Sequence, residues 1–325
     1  MTSPADSLPQ FVIAGAPKAG TTALHAALAT HPGLYLSPVK EPKYYLTDGS
    51  PPPRSGQRGP GDAHSAKEWI WRRADYLALF AGAPAGTVRG ESTPFYLYDR
   101  GAQQRLAADV PGVKVIVVVR DPVDRAYSNW AHQRADGLEP EADFLAAVRA
   151  EQRRIDAGWA PFWHYRGLGT YGAQLRDLYR HLPCEQVIVL RYRQLVDTPR
   201  ETLDRVSRFL GVPTGVAHTV APENVKPFVA DTAGYRLLAR ATRVGAALGA
   251  YAPPQLWRQA SRPLIAALHA GRAPRPPLPV EVRRAVLAPL LPDIELLEEL
   301  TGESFADWKG DTGRGDFRTR SAART

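Results

Sequence analysis

Apolar runs of strand length alternate with longer amphipathic stretches through the first two thirds of the chain, the pattern of βα units built on a parallel sheet. The runs predict buried strands at about 10–16, 87–90, 113–119 and 186–191. The stretches between and after them predict helices at about 20–30, 66–80, 122–135, 141–157, 171–181 and 200–210. Residues 48–64, rich in Pro, Gly and Ser, read as an exposed loop. From about residue 230 the pattern becomes helical and arginine-rich, with breaks at Pro253-Pro254 and across 274–279. A final amphipathic helix is expected over 287–300. The organisation that follows is an α/β core over 1–230, a helical extension over 231–308 packed on it, and a disordered tail over 309–325.

Composition narrows the classes. With 44% hydrophobic and 23% charged residues in 325, the chain can fill a sizeable core and is neither disordered nor fibrous. No apolar run approaches the roughly 18 residues that a membrane span requires. The one cysteine, Cys184, can form neither an internal disulfide nor a zinc cluster, and the first six residues lack the basic and apolar regions of a secretory signal. A reducing, cytoplasmic location is the expectation. The formal net charge of +8 calls for an anionic ligand or partner. Between Arg236 and Arg284 stand nine arginines against one acid, Glu281. That segment is read either as a solvated helical face, as a cap over an anionic or lipid-linked acceptor, or as a peripheral contact with acidic membrane. Nucleic acid is not an expected partner, because no binding module accompanies the charge.

The most informative local signal is Phe11-Val12-Ile13-Ala14-Gly15-Ala16-Pro17-Lys18-Ala19-Gly20-Thr21-Thr22, an apolar strand entering a small-residue loop and then a helix. Backbone amides at a helix N-terminus, together with its dipole, cradle a phosphate, and Gly20 allows close approach. Gly15 to Gly20 has the spacing of a Walker loop, but Thr21 occupies the lysine position and the cation has moved to Lys18. A lysine at the crest of such a loop stands beside a single 5′-phosphate and its leaving group. The second signal is Val115-Ile116-Val117-Val118-Val119-Arg120-Asp121-Pro122, a buried strand ending in a cation, with Asp121 a natural N-cap and Pro122 at N1. Where an NTPase places a magnesium-binding carboxylate, this strand presents Arg120, which favours a second phosphate. Arg125 and Ser128 share a helix face, so Ser128 can add a hydroxyl.

Two phosphate sites without a Walker lysine describe a nucleotide carrying separate 5′ and 3′ phosphates. On these residues the chain resembles the sulfotransferases that use 3′-phosphoadenosine-5′-phosphosulfate. Ala16 to Thr22 is similar to their 5′-phosphosulfate loop, and Arg120-Asp121-Pro122 through Ser128 to their 3′-phosphate motif. The likeness continues through Ser37 to Tyr45, Gly90-Glu91-Ser92-Thr93-Pro94, Gly169-Thr170-Tyr171 and Phe209-Leu210-Gly211, with a weaker echo at the final helix and Trp308. It spans roughly residues 10 to 230 and is nearest to the branch that includes glycan and bacterial enzymes.

The resemblance implies a P-loop-like parallel sheet flanked by helices, and sulfuryl transfer from that donor to an acceptor hydroxyl, without a metal. Lys18 would stabilise the departing 3′,5′-bisphosphoadenosine. Pro17, Ala19, Gly20, Thr21 and Thr22 would complete the 5′-phosphate loop, with Arg120 and Ser128 on the 3′-phosphate. Lys226, in Pro222-Glu223-Asn224-Val225-Lys226, falls where the family places further donor contacts. The general base implied is Glu41, in Lys40-Glu41-Pro42-Lys43; the other reading of Glu41 is an ion pair with a neighbouring lysine. The steroid and phenol branch uses a histidine, and none of the eight histidines lies in a recognisable version of that motif.

Lys43 stands where the glycan enzymes often have a histidine, and Ser92 where they often have a lysine. Both point away from a glycosaminoglycan and toward a small natural product, a sugar or a glycolipid. His64, Tyr96 and Trp163 are further acceptor-side candidates, with Trp159 and Phe162 behind them; aromatics at such spacing also serve as core. Two other classes remain open: a P-loop kinase of small molecules or nucleotides, and a non-catalytic module that binds anions or a membrane surface.

Overall fold

The computed structural model describes residues 8–52, 59, 69–217, 219–220, 228–249, 263–269, 272–273 and 275–311. In chain order its elements are β1 (Phe11–Gly15), α1 (Thr21–Leu28), β2 (Leu34–Leu36), α2 (Arg73–Ala78), β3 (Val88–Ser92), α3 (Arg100–Asp109), β4 (Lys114–Val119), α4 (Pro122–Ala135), α5 (Phe144–Arg149) and α6 (Glu151–Asp156). There follow α7 (Tyr171–Leu178), β5 (Val187–Arg191), α8 (Tyr192–Asp197), α9 (Pro199–Leu210), β6 (Phe228–Val229), α10 (Ala233–Gly249), α11 (263–269), β7 (Arg272–Ala273), α12 (Val280–Leu287) and α13 (Leu291–Thr301). The chain divides into two compact units. The first comprises Met1–Arg54, Lys67–Arg120 and Ala173–Val225; the second comprises Ser55–Ala66, Asp121–Gly172 and Lys226–Thr325.

The first unit carries a five-stranded sheet in the order β2-β3-β1-β4-β5, every pairing parallel, with helices flanking it. β1 and β4 are apolar almost throughout because both faces of these central strands are covered. Gly90 on β3 is required by the packing of β1: a Cβ there would lie 2.2 Å from the Phe11 ring. α9 buries Leu203, Val206 and Leu210, a stripe at helical spacing. The strand order reverses at β1, and such a reversal opens a crevice beyond the carboxyl ends of the strands.

Four strands stand where the hydrophobic pattern places them. β2 is a fifth, too short at three residues to register as a run. α3 was not expected either, because it is mostly polar; Asp99 caps it by accepting from Ala102 N–H at 2.7 Å. Of the expected 66–80, residues 66–68 lie outside the described residues; among the others α2 covers Arg73–Ala78, preceded by an extended Arg72. The helix expected over 141–157 is two short ones meeting at Ala150.

The second unit is largely helical, including the C-terminal region. α10 turns Tyr235 and Ala239 into a small core with Ala135, Val229 and Leu268, while Leu237 and Val244 are exposed at 72% and 54%. Lys309, Gly310 and Asp311 are tied down: Lys309 pairs with Glu298 at 2.6 Å, Arg283 donates to the Gly310 carbonyl at 3.1 Å, and Arg284 Nε donates to Asp311 at 2.6 Å. Residues 312–325 lie outside the described residues. Among the described residues no helix is long and apolar enough to cross a membrane.

Candidate active site

The carboxyl ends of β1, β3, β4 and β5 bring the first unit's chemistry to one edge of the sheet. β1 leads into the loop Ala16–Gly20, which main-chain bonds pin in place: Ala16 N–H donates to Val118 O at 2.8 Å and Ala19 N–H to Ala16 O at 3.2 Å. Lys18, at the crest, has φ 66, and Gly20, the N-cap of α1, has φ 89. Both are left-handed, and together they turn the chain sharply enough for α1 to start at Thr21. The first bond of that helix runs from Leu24 N–H to Gly20 O at 3.0 Å. The amides of its opening turn have no partner within the helix and point at the loop mouth. Thr21 is buried and Thr22 exposed, so the loop offers one hydroxyl inside and one outside. Pro17 and Ala19 are buried, and Lys18 is half-buried.

Arg120 follows β4 directly. Its Nη1 donates to the Lys18 carbonyl at 3.3 Å, and its guanidinium lies 4.6 Å from the Tyr192 ring. Tyr192, the first residue of α8, also limits the loop from below: a Cβ on Gly20 would stand 2.8 Å from its Cδ2. An aromatic just past a predicted strand was the available signal for Tyr192, and sequence reasoning passed over it.

The second cluster lies past β2, on the turn Glu41–Tyr45. Glu41 is 3% exposed and pairs with Lys40 at 2.6 Å, so the ion pair foreseen for it exists, but around a buried carboxylate. Its amide donates to Ser92 O at 2.9 Å. Glu41 and Lys43 both hold left-handed backbones, φ 63 and 62. For non-glycine residues this costs about 1–3 kcal/mol each and persists only where the surroundings dictate it. Lys43 is buried, its ammonium 4.9 Å from the Trp69 ring. Ser92 and Tyr96, also buried, belong to the same cluster.

Two groups here escaped sequence reasoning. His25 on α1 meets Ser92 Oγ at 2.8 Å through Nδ1; burial, then the Lys40 charge, lower its pKa to about 4 against the opposing field of Glu41. Glu91, fully buried on β3, has its carboxyl lifted to about 7 by burial, while hydrogen bonds from Tyr96, Thr93 and Tyr76 pull the other way. Its signal was an acid inside a buried strand.

The second unit holds the remaining candidates. Ser128 is buried on α4, whose N-terminus Asp121 caps by accepting from Val123 N–H at 2.9 Å and Asp124 N–H at 3.1 Å. Arg283 of α12 clasps the same carboxylate at 2.6 Å. Trp163 is fully buried, and Trp159 and Trp163 lie 5.1 and 5.3 Å from the Arg154 guanidinium, which forms a buried pair with Glu139 at 2.7 Å. His64 and Lys226 lie outside the described residues. Among the described residues no group of three or more His, Cys, Asp or Glu is placed to hold a metal ion.

A family model described as "Sulfotransferase family" matches residues 9–215. This chain belongs to the sulfotransferase family. Among the curated relatives of this sulfotransferase-family chain is human heparan sulfate glucosamine 3-O-sulfotransferase 3B1, 30% identical over 206 residues, which make up 63% of this chain and 46% of that protein. Human bifunctional heparan sulfate N-deacetylase/N-sulfotransferase 3 is 27% identical over 216 residues, covering 64% of this chain and 23% of that one. The chain thus spans less than half the length of these relatives. A solved sulfotransferase from Alicyclobacillus acidocaldarius superposes with a TM-score of 0.70 at 26% identity, over 93% of this chain and 99% of that one.

Proposed function

We propose that this protein transfers a sulfuryl group from 3′-phosphoadenosine-5′-phosphosulfate to an acceptor hydroxyl on a sugar, a glycolipid or a small natural product. The observation that carries the reading is the loop of β1, where Lys18, the amides opening α1 and Arg120 converge at the switch point of the sheet. These residues fit a nucleotide with two separate anionic groups: two cations, a helix N-terminus, and the hydroxyls of Thr21 and Thr22. In this reading the bond between sulfur and the bridging 5′-phosphate oxygen breaks while the acceptor oxygen bonds to sulfur, and the acceptor proton passes to the Glu41 carboxylate. Lys18 neutralises the charge that develops on the leaving oxygen, and positioning supplies most of the acceleration. Arg120 takes the 3′-phosphate. Ser128 and Lys226 keep the donor contacts that the motifs imply. The Lys40 ammonium, 2.6 Å from the Glu41 carboxylate, balances its charge.

The relatives named as heparan sulfate 3-O-sulfotransferases favour a sugar hydroxyl, while the buried Lys43 and Ser92 in place of the residues common among glycan enzymes favour a smaller acceptor than a polysaccharide. The test is incubation of the purified protein with ³⁵S-labelled donor and, separately, a heparan-type polysaccharide, simple glycosides, a glycolipid and phenols, followed by mass spectrometry of any labelled product. Label on one acceptor class, without added ATP, is the expected result. Phosphate transfer from ATP and magnesium, with no sulfuryl transfer to any acceptor, would overturn it.

A further inference from the structure

Glu91 takes no part in the transfer just described, yet it is the hub of the turn that carries Glu41. Its Oε2 accepts from Thr93 Oγ1 at 2.8 Å and its Oε1 from Tyr76 OH at 3.2 Å; the Tyr96 hydroxyl is a third donor. Two of these hydroxyls pass the connection on. Thr93 Oγ1 accepts the Lys43 amide at 3.3 Å, and Tyr96 OH accepts the Tyr45 amide at 3.3 Å. The Glu41 amide is taken by Ser92 O at 2.9 Å, so alternate amides of the turn, 41, 43 and 45, are each bound to the segment that begins at Glu91.

The polarity of this network requires an acid. A hydroxyl has one proton, and one that spends it on a carboxylate keeps its lone pairs for an incoming amide. In its ionised form, which prevails above a pH of about 7, the Glu91 carboxylate accepts only, so it fixes the direction of both hydroxyls at once. An amide side chain would present a donor to one of them and leave the direction open. The backbone being gripped is one that does not hold itself, since two of its residues are left-handed without being glycine.

We propose that Glu91 is a positioning residue for the general base: acting through Thr93 and Tyr96, it clips the Lys43 and Tyr45 amides and so holds the Glu41 carboxylate in one place. The proposal rests on Glu41 being the base, and its test separates the two claims. Thr93→Val removes the hydroxyl at nearly constant shape, Thr93→Ser restores it, and Glu91→Gln removes the acceptor.

Hydrogen exchange read by mass spectrometry should show faster exchange of the 39–47 peptide in T93V and E91Q, near-native exchange in T93S, and no change over α1. Turnover, measured with ³⁵S-labelled donor and the panel acceptor that the native protein sulfates fastest, should fall roughly 10- to 100-fold in T93V with recovery in T93S. Affinity for 3′,5′-bisphosphoadenosine by calorimetry should stay within about twofold. In a Glu41→Gln background T93V should cost no further turnover, because both changes disable one device. Native exchange of the 39–47 peptide in both T93V and E91Q would overturn the proposal, as would a full additional loss from T93V in the Glu41→Gln background. Unchanged turnover in Glu41→Gln alone would instead remove the base assignment and leave the exchange result to decide whether Glu91 holds the turn.

Discussion

The loop Ala16–Gly20 and the turn Glu41–Tyr45 stand at the same edge of one sheet, and each contains two left-handed residues, yet they are held in different ways. Main-chain bonds from Ala16 and Ala19 pin the loop, and a glycine absorbs its sharpest angle. Two side chains and one carbonyl some fifty residues away along the sequence grip the turn, and no glycine helps it. A main-chain cradle suits the binding of a phosphate, whose oxygens any amide can meet. A carboxylate proposed to receive one proton from one direction needs its own backbone fixed, and the aimed hydroxyls of Thr93 and Tyr96 add to the Ser92 carbonyl in fixing it.

The comparison can be broken at several points. The largest expected effect is at the turn: Glu41→Gln should lower turnover by roughly 10²- to 10⁴-fold while calorimetry finds binding of 3′,5′-bisphosphoadenosine little changed. Lys18→Ala follows, with turnover down roughly 10²- to 10³-fold in the same transfer assay, because the leaving oxygen loses its cation. Arg120→Ala should act on the other parameter, weakening bisphosphate affinity by roughly 10- to 100-fold in calorimetry, the range for losing a charged hydrogen-bond partner.

Gly20→Ala sharpens the distinction further. The new methyl would have to sit at φ 89 and 2.8 Å from Tyr192, so the loop should shift, with a stability cost of about 1–2 kcal/mol in a thermal melt and weaker bisphosphate binding. Thr22→Ala, at an exposed position of the same helix, should leave the melt unchanged. A Gly20→Ala protein with native stability and affinity would mean that the loop does not depend on its backbone geometry.

The smallest effect is on pH. His25 has its folded pKa lowered from 6.5 to about 4, so the stability it contributes is present above pH 6.5 and is lost as pH falls through 4. Glu91 has its folded pKa raised from 4.5 to about 7, so its effect runs the other way, with stability declining as pH rises from 4.5 through 7. The two slopes oppose each other between about 4.5 and 6.5. In His25→Gln the acid-side loss should vanish and the melting temperature should fall as pH rises across that window; a profile unchanged from the native protein would refute the His25 assignment.

The contrast between loop and turn also explains what the sequence made legible. Gly15, Lys18, Gly20 and Thr21 act through local spacing, and that spacing can be read in a dozen consecutive letters, as can the arginine at the end of β4. The sheet was legible for the same reason, since its central strands are continuous apolar runs. Glu91, Thr93 and Tyr192 act on partners far along the chain, and nothing local to them states the partner. β2 and α3 were hidden for a related reason: one is three residues long, and the other buries only Ala102 and Leu106 as apolar residues and is further held by the Asp99 cap and by Gln103, which donates to the Leu97 carbonyl at 2.6 Å. In the arginine-rich segment the sequence shows the charge but not the partners. Four of its arginines have partners: Arg283 pairs with Asp121, Arg284 with Asp311, Arg236 with Asp231 at 3.3 Å, and Arg243 donates to the Gly137 carbonyl at 3.2 Å.

The clasp between Arg283 and Asp121 bears on the order in which the molecule can be completed during synthesis. Asp121 opens α4, but the guanidinium that clasps it is made 162 residues later, and that guanidinium in turn draws on the carbonyls of Trp308, at 2.9 Å, and Gly310. A nascent chain that has emerged only through α9 therefore possesses every strand of the five-stranded sheet but cannot yet close this latch. The clasp must wait for residues near 310 to leave the ribosome, and a ribosome stalled before that point would display the strands of the sheet made and α4 unlatched.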